Sequence, residues 1–159
     1  MTGSVTVTPL GEGDLPALAE LLASEGLPNQ DVAAPGRRFW RVADHAGLLG
    51  YGGLEVHGRD GLLRSVVVPP RRRRRGAGQA VVDAVRGEAA ALGLERLWLL
   101  TTTAADFFER MGFQRTDRDS APPAVRSSAQ FAGLCPAGAT CLRCDLAAPE
   151  RDERDECEP

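Results

Sequence analysis

The sequence predicts an α+β domain, an α/β/α arrangement in which a mixed central sheet carries helices on both faces. Three observations lead there. Residues 39–68, "FWRVADHAGLLGYGGLEVHGRDGLLRSVVV", read as three strands divided by turn signals at Asp44–Gly47 and Arg59–Gly61, the pattern of an antiparallel meander. The next stretch is helix-periodic over "GAGQAVVDAVRGEAAALG" and strand-like over "LERLWLLT", a crossover unit that pairs its strands in parallel. A length of 159 residues suits one domain with a core covering well over half of its unfolded surface.

The elements follow in order. "VTVTP" at residues 5–9 alternates and predicts a first strand. "GDLPALAELLASEGLP" predicts a helix that starts at Asp14, holds Pro16 in its first turn, lines up Leu15, Leu18, Leu21 and Leu22, and stops at Gly26. "PNQDVAAPGRR" reads as loop before the meander. In the second long helix Val81, Val82, Val85 and Ala89 share a face, and Gly93 closes it. "AADFFERMG" predicts a short helix ended by Gly112, with "FQRTD" a strand after it. "PPAVRSSAQFAGL" is expected to add a helix and "ATCLRCDL" a last strand. Residues 1–147 then form the domain, and 148–159 an acidic tail expected to be disordered.

All 19 basic residues are arginine, which reads as the codon usage of a GC-rich genome, so arginine on the surface needs no functional account. The last ten residues hold six acids against two arginines, and without them the net charge moves from −3 to about +1. That body lacks the broad basic face or aromatic platform of a nucleic-acid binder, so no nucleic-acid partner is expected. No apolar run approaches the roughly 18–20 residues that span a bilayer, and the first residues lack a charged and apolar leader. The expectation is a cytoplasmic protein without a membrane partner.

The joint "VVVPPRRRRRGAGQAVVDAV" is where chemistry is expected. Gly76 and Gly78 let successive N–H groups turn into one concavity at a helix N-terminus, where the first turn adds free donors and partial positive charge. Such a backbone nest suits a diphosphate, and arginine at its rim supplies forked donors. The loop is not a P-loop, since no Gly-Lys-Ser/Thr follows, and a helix cap flanked by solvated arginines is the competing reading.

Arg73-x-x-Gly76-x-Gly78, after "VVVPP" and before an amphipathic helix, resembles the acetyl-CoA signature of the GNAT N-acetyltransferase superfamily. "AADFFERMGF" resembles the superfamily's later motif of a short helix ending in Gly-Phe, and the strand order agrees over residues 5–118. Within the superfamily, "LWLLTTTAADFFERMGF" and "SSAQFAGLCPAGA" resemble acetyltransferases found with arsenic-resistance genes. "LLTTTAADFF" also resembles the amino-acid acetyltransferase domains of the N-acetylglutamate synthase type.

The resemblance implies the acyl-CoA N-acyltransferase fold, with acetyl-CoA as cosubstrate, no metal, and a small amino-acid-like amine as acceptor. An arsenic-containing or glutamate-like toxin is one such acceptor. It implies cofactor contacts from Val66, Val67 and Val68, from Arg73, Arg74, Arg75, Gly76, Ala77, Gly78 and Gln79, and from Phe107 and Phe108. Such domains often dimerise, so a homodimer is an open expectation. Many relatives place a tyrosine acid where this chain has Phe108, and the only tyrosine, Tyr51, lies on another strand. A catalytically weak fold that binds CoA or arsenite is therefore the alternative.

Glu55 is the candidate base, on the same face of its strand as Tyr51. Equally, it falls opposite Arg64 and could form a cross-strand ion pair. Arg64 could instead receive an acceptor carboxylate. Thr101, Thr102 and Thr103 end a strand at the edge where ligands gather, or simply favour strand. His45 and His57 fall at hairpin ends and read as exposed turn residues. Cys135, Cys141 and Cys144 invite a three-sulfur arsenite site, yet Cys141 and Cys144 are three apart on one strand and point to opposite faces.

Overall fold

The computed structural model describes residues 5–26, 37–73, 76–128 and 139–146. Its strands are β1 (Thr6–Pro9), β2 (Arg37–Asp44), β3 (Gly47–His57), β4 (Asp60–Val67), β5 (Arg96–Thr101), β6 (Gln114–Thr116) and β7 (Thr140–Asp145). Its helices are α1 (Leu15–Ser24), α2 (Ala77–Ala91), α3 (Ala105–Arg110) and the single turn α4 (Pro123–Arg126). The strand order is β1-β2-β3-β4-β5-β7-β6. β4 and β5 pair in parallel over Asp60–Leu62 and Arg96–Trp98, while β1–β2, β2–β3, β5–β7 and β6–β7 are antiparallel. The sheet is therefore mixed and the fold α+β, as the element order predicts.

By internal contacts the chain divides into two compact units, residues 1–56 with 63–85, and residues 57–62 with 86–159. In the first unit the two faces of the sheet meet different helices. Leu18 and Leu22 of α1 are wholly buried against Phe39, Tyr51 and Val67. On the other face Ala77 and Val81 of α2 pack with Val42 and Leu49, flanked by Val66 and Val68. Helix α2 can come this close because β3 presents Gly50 and Gly52 beneath it. A Cβ on Gly52 would lie 2.6 Å from Val85 Cγ2, and one on Gly50 would lie 2.5 Å from the Val67 carbonyl oxygen.

Two irregularities set the registers of this unit. Between Val42↔Gly50 and Ala43↔Leu48 the β2–β3 pairing slips by one residue, leaving Leu49 as a bulge. In β4, Ser65 has φ 56°, a left-handed conformation rare for a residue with a Cβ. Val67 faces α1 and Val66 and Val68 face α2, yet Arg64, three residues before Val67, also lies on the α1 side over the Phe39 ring. Odd separations in a regular strand point to opposite faces, so the turn at Ser65 reverses the alternation.

In the second unit Leu97, Trp98 and Leu99 of β5 are buried, and Trp98 Nε1 donates to Asp60 Oδ1 at 2.9 Å. Leu62, Trp98 and Cys141 form a core cluster with Ala121 and with Val125 of α4. Strand β7 inserts between β5 and β6, a placement the element order does not reveal. Other differences from expectation are local. Asp14 does not cap α1; its Oδ2 accepts from the Gly11 N–H at 2.9 Å and fixes the 3-10 turn Glu12–Asp14 that leads in. The helix expected over residues 122–134 is one turn among the described residues, and 129–138 lie outside them. The acidic tail, Cys135 and Cys157 also lie outside the described residues. His57 is half-buried rather than exposed, whereas His45 is exposed. Among the described residues no helix is long and apolar enough to cross a membrane.

Candidate active site

The cofactor loop expected from the sequence belongs wholly to the first unit. Beyond Val67 the chain passes through Pro69 into a 3-10 turn, Pro70–Arg72, and then through Gly76 at φ 77° into α2. Gly76 supplies the left-handed turn at no steric cost. The helical ladder opens with the Ala80 N–H donating to the Gly76 carbonyl at 3.0 Å. The amides of Ala77, Gly78 and Gln79 therefore precede the ladder, at the positive end of a 15-residue helix. Free amides at the start of a helix are donors of the kind that favours an anion.

The arginines before this turn have other work. Arg72 Nη2 meets Asp44 Oδ2 at 2.5 Å, at the β2–β3 turn. Arg73 pairs with Glu25 just past α1, and its Nε reaches the Val68 carbonyl at 3.3 Å. Burial raises the Asp44 carboxyl, but the Ala46 amide and Arg72 outweigh it and hold the group below its ordinary value. Arg72 and Arg73 thus tie the loop to two other elements of the same unit. Arg71 is exposed, and Arg74 and Arg75 lie outside the described residues.

Upstream on β4 lies a buried ionic cluster. Arg64 Nη1 donates to Glu55 Oε2 at 2.8 Å, so the cross-strand ion pair allowed by the sequence is present. The side chains are 0% and 2% exposed. Arg64 Nε reaches Ser65 Oγ at 3.2 Å, and its guanidinium sits 5.8 Å above the centre of the Phe39 ring. A third member was not foreseen: Arg37 Nη2 stands 3.5 Å from the same Glu55 Oε2. Arg37 lies directly across from Glu55 in the β2–β3 register, so both side chains share a face. Counting back from the Asp44–Gly47 turn puts Leu54 opposite Arg37, and only the bulge at Leu49 brings Glu55 there.

Other candidates belong to the second unit. Thr101 Oγ1 accepts from the Ala104 N–H at 3.0 Å and from the Thr103 N–H at 3.4 Å, ordering the turn into α3. Thr102 and Thr103 are exposed. Phe108 is buried edge-to-face against Phe107 and Phe113, at 5.0 and 5.5 Å between ring centres. Cys141 is buried in the Trp98 cluster, and burial pushes its thiol up to about 11. Cys144 is half-buried, 3.9 Å from Arg86 Nη1. The two sulfurs have different surroundings, and among the described residues no three His, Cys, Asp or Glu side chains gather to hold a metal.

The chain is similar to several known proteins. The chain is 34% identical over 71 residues to an amino-acid acetyltransferase of Pseudomonas syringae pv. tomato, covering 45% of this chain and 16% of that protein. Among solved structures it is similar to N-acetylglutamate synthase from Neisseria gonorrhoeae, complexed with coenzyme A and N-acetyl-glutamate. That match has a TM-score of 0.75 and 21% identity over 92% of this chain and 36% of the other. It is also similar to Rv2747 from Mycobacterium tuberculosis, in complex with CoA and NLQ, with a TM-score of 0.72 and 25% identity over 89% and 99% of the two chains. The profile of the acetyltransferase (GNAT) domain matches residues 35–115, from the start of the meander to β6. This chain belongs to the GNAT acetyltransferase domain family.

Proposed function

We propose that the protein is an acetyl-CoA-dependent N-acetyltransferase acting on the amine of a small amino-acid-like molecule. The observation that carries the reading is the row of amides at Ala77, Gly78 and Gln79, ahead of the helical ladder and behind Gly76 in its left-handed turn. In a GNAT chain those amides hold the diphosphate of the cosubstrate, and the backbone of Val66–Val68 faces its pantetheine arm. Acetyl-CoA supplies an activated acyl group. The chain then has to orient the amine, which accounts for much of the rate, and provide routes for one proton in and one out. Glu55 is the proposed proton acceptor, although taking a proton means loosening its bond to Arg64. Arg64, Thr101, Thr102 and Thr103 remain the proposed acceptor contacts, and Phe107 and Phe108 proposed cofactor contacts.

The amino-acid acceptor draws support from the relatives: one is an amino-acid acetyltransferase, and another was solved with N-acetyl-glutamate. The chain spans 16% and 36% of those two proteins, so their whole activities are not carried over. A cytoplasmic setting and a role in arsenic or toxin resistance belong to the same proposal, the latter resting on "LLTTTAADFF" and "SSAQFAGLCPAGA". The test is release of free CoA from acetyl-CoA across amino acids and their phosphorus- and arsenic-containing analogues. Absence of turnover with all of them rejects the enzyme.

One observation favours a second reading, a CoA-binding module without turnover. Phe108 has no proton to give, and Tyr51 is buried among Leu18, Leu22, Phe39 and Val67. Tight CoA binding together with absent turnover selects that reading.

A further inference from the structure

We propose that Tyr51 is the proton donor of the transfer step, delivering its hydroxyl proton to the sulfur that leaves the acetyl group. The assignment rests on the acetyltransferase reading and fills the role that Phe108, which has no proton to give, leaves open. Three observations meet at this side chain. The first is an unused hydroxyl. Tyr51 is 7% exposed, and a phenol buried to that extent usually bonds to the protein. Among the described residues no group hydrogen-bonds the Tyr51 hydroxyl, yet its oxygen is not sealed in and reaches the open edge of the residue. A hydroxyl kept there without a partner in the protein is available to one that arrives from outside.

The second is location. The ring packs with Leu18 and Leu22 of α1, Phe39 of β2 and Val67 of β4. Val67 lies within Val66–Val68, whose backbone is the proposed seat of the pantetheine arm. Strands β3 and β4 come close at this level: a Cβ on Gly50, the residue before Tyr51, would lie 2.5 Å from the Val67 carbonyl oxygen. Apolar packing holds the ring, so the fold aims the hydroxyl without a hydrogen bond. The third is the neighbouring carboxylate. Tyr51 and Glu55 are four apart on β3, an even number, so the proposed donor and the proposed acceptor of protons share one face. As the amine bonds to the carbonyl carbon, Glu55 takes the proton that the nitrogen loses. As the carbon–sulfur bond breaks, its electron pair goes to sulfur and Tyr51 Oη–H protonates it, giving the free thiol. Solvent then returns a proton to Tyr51 and removes one from Glu55.

The experiment measures single-turnover rates with acetyl-CoA and the common L-amino acids, and carries the best acceptor into Tyr51→Phe. Tyr51 is the only tyrosine in the chain, so biosynthetic replacement of tyrosine by fluorotyrosine, a more acidic phenol, changes this group alone. Tyr51→Phe should lower the rate about a hundred-fold or more. CoA affinity by calorimetry should stay within about two-fold and Tm within about 2 °C, since no bond inside the protein is lost. The wild-type rate should fall at alkaline pH as the phenol loses its proton. That limb should vanish in Tyr51→Phe and move to lower pH with fluorotyrosine. A smaller rate loss, or a limb that fluorotyrosine leaves in place, overturns the assignment. So does a parallel loss of CoA affinity or Tm, which makes the hydroxyl structural. A wild-type protein that binds CoA and acetylates none of the amino acids instead overturns the amino-acid acceptor, and the role of Tyr51 falls with it.

Discussion

Replacing Glu55 by glutamine separates a structural anion from a catalytic base. The Glu55 and Arg64 side chains are almost fully enclosed and 2.8 Å apart, with Arg37 leaning on the same oxygen. Neutralising one member leaves a guanidinium in a poorly solvated place, a loss of about 3–5 kcal/mol in comparable buried pairs. For a chain of this size each kcal/mol moves Tm by roughly 2–4 °C, so Glu55→Gln should melt about 6–20 °C lower. Thermal unfolding followed by circular dichroism reads the shift directly. Glu55→Leu combined with Arg64→Met should recover part of the loss, because removing both charges avoids the orphan. The reasoning is refuted if Glu55→Gln melts within about 2 °C of wild type. Should kcat then also fall by about a hundred-fold or more, the carboxylate is a proton acceptor and not a structural anion.

Gly50→Ala puts a methyl group 2.5 Å from the Val67 carbonyl oxygen and 2.9 Å from Val81 Cγ2, so backbone has to move. Overpacking of that kind costs about 1–3 kcal/mol, and since the strain falls on β4, CoA affinity should drop with Tm; unchanged values for both reject the close approach. The Asp44 carboxyl is held below its ordinary value, so its contribution to stability is present above about pH 3.9 and is lost as pH falls through the lower folded value. Asp44→Asn should remove that part of the acid transition and weaken CoA binding a few-fold by releasing Arg72, which acid titration and calorimetry can check. The Cys141 thiol is pushed up to about 11 by burial, so its contribution is complete below about pH 8.5 and is lost as pH rises through 11. In the native protein near pH 8 iodoacetamide should label Cys144 well before Cys141; equal rates under mass spectrometry contradict the burial.

Local signals carried most of the fold. The turn residues around Asp44 and Arg59, the stop at Gly93 and the valine face of α2 all act within a few residues, and each element appears where they place it. The position of β7 between β5 and β6 depends on pairing across the sheet, and no short-range pattern encodes it. The same distinction divides the site. Gly76 is legible because a left-handed turn before a helix favours glycine, and the Glu55–Arg64 pair because a hairpin register can be counted. Arg37 was missed because one bulged leucine shifts the count by a single residue. The partners of Arg72 and Arg73 were missed because Asp44 and Glu25 are distant in sequence.

The left-handed serine in β4 gives that strand two grammars. Before it, one parity of position belongs to the ionic cluster; after it, the opposite parity belongs to the same side of the sheet. A single strand can therefore offer a charged group and an apolar, backbone-presenting stretch without a loop between them. A branched residue such as valine there resists φ 56° and leaves two outcomes, resumed alternation that turns Arg64 away from Glu55, or a broken strand. Either way one small hydroxyl-bearing residue decides whether the two halves of β4 can do different jobs.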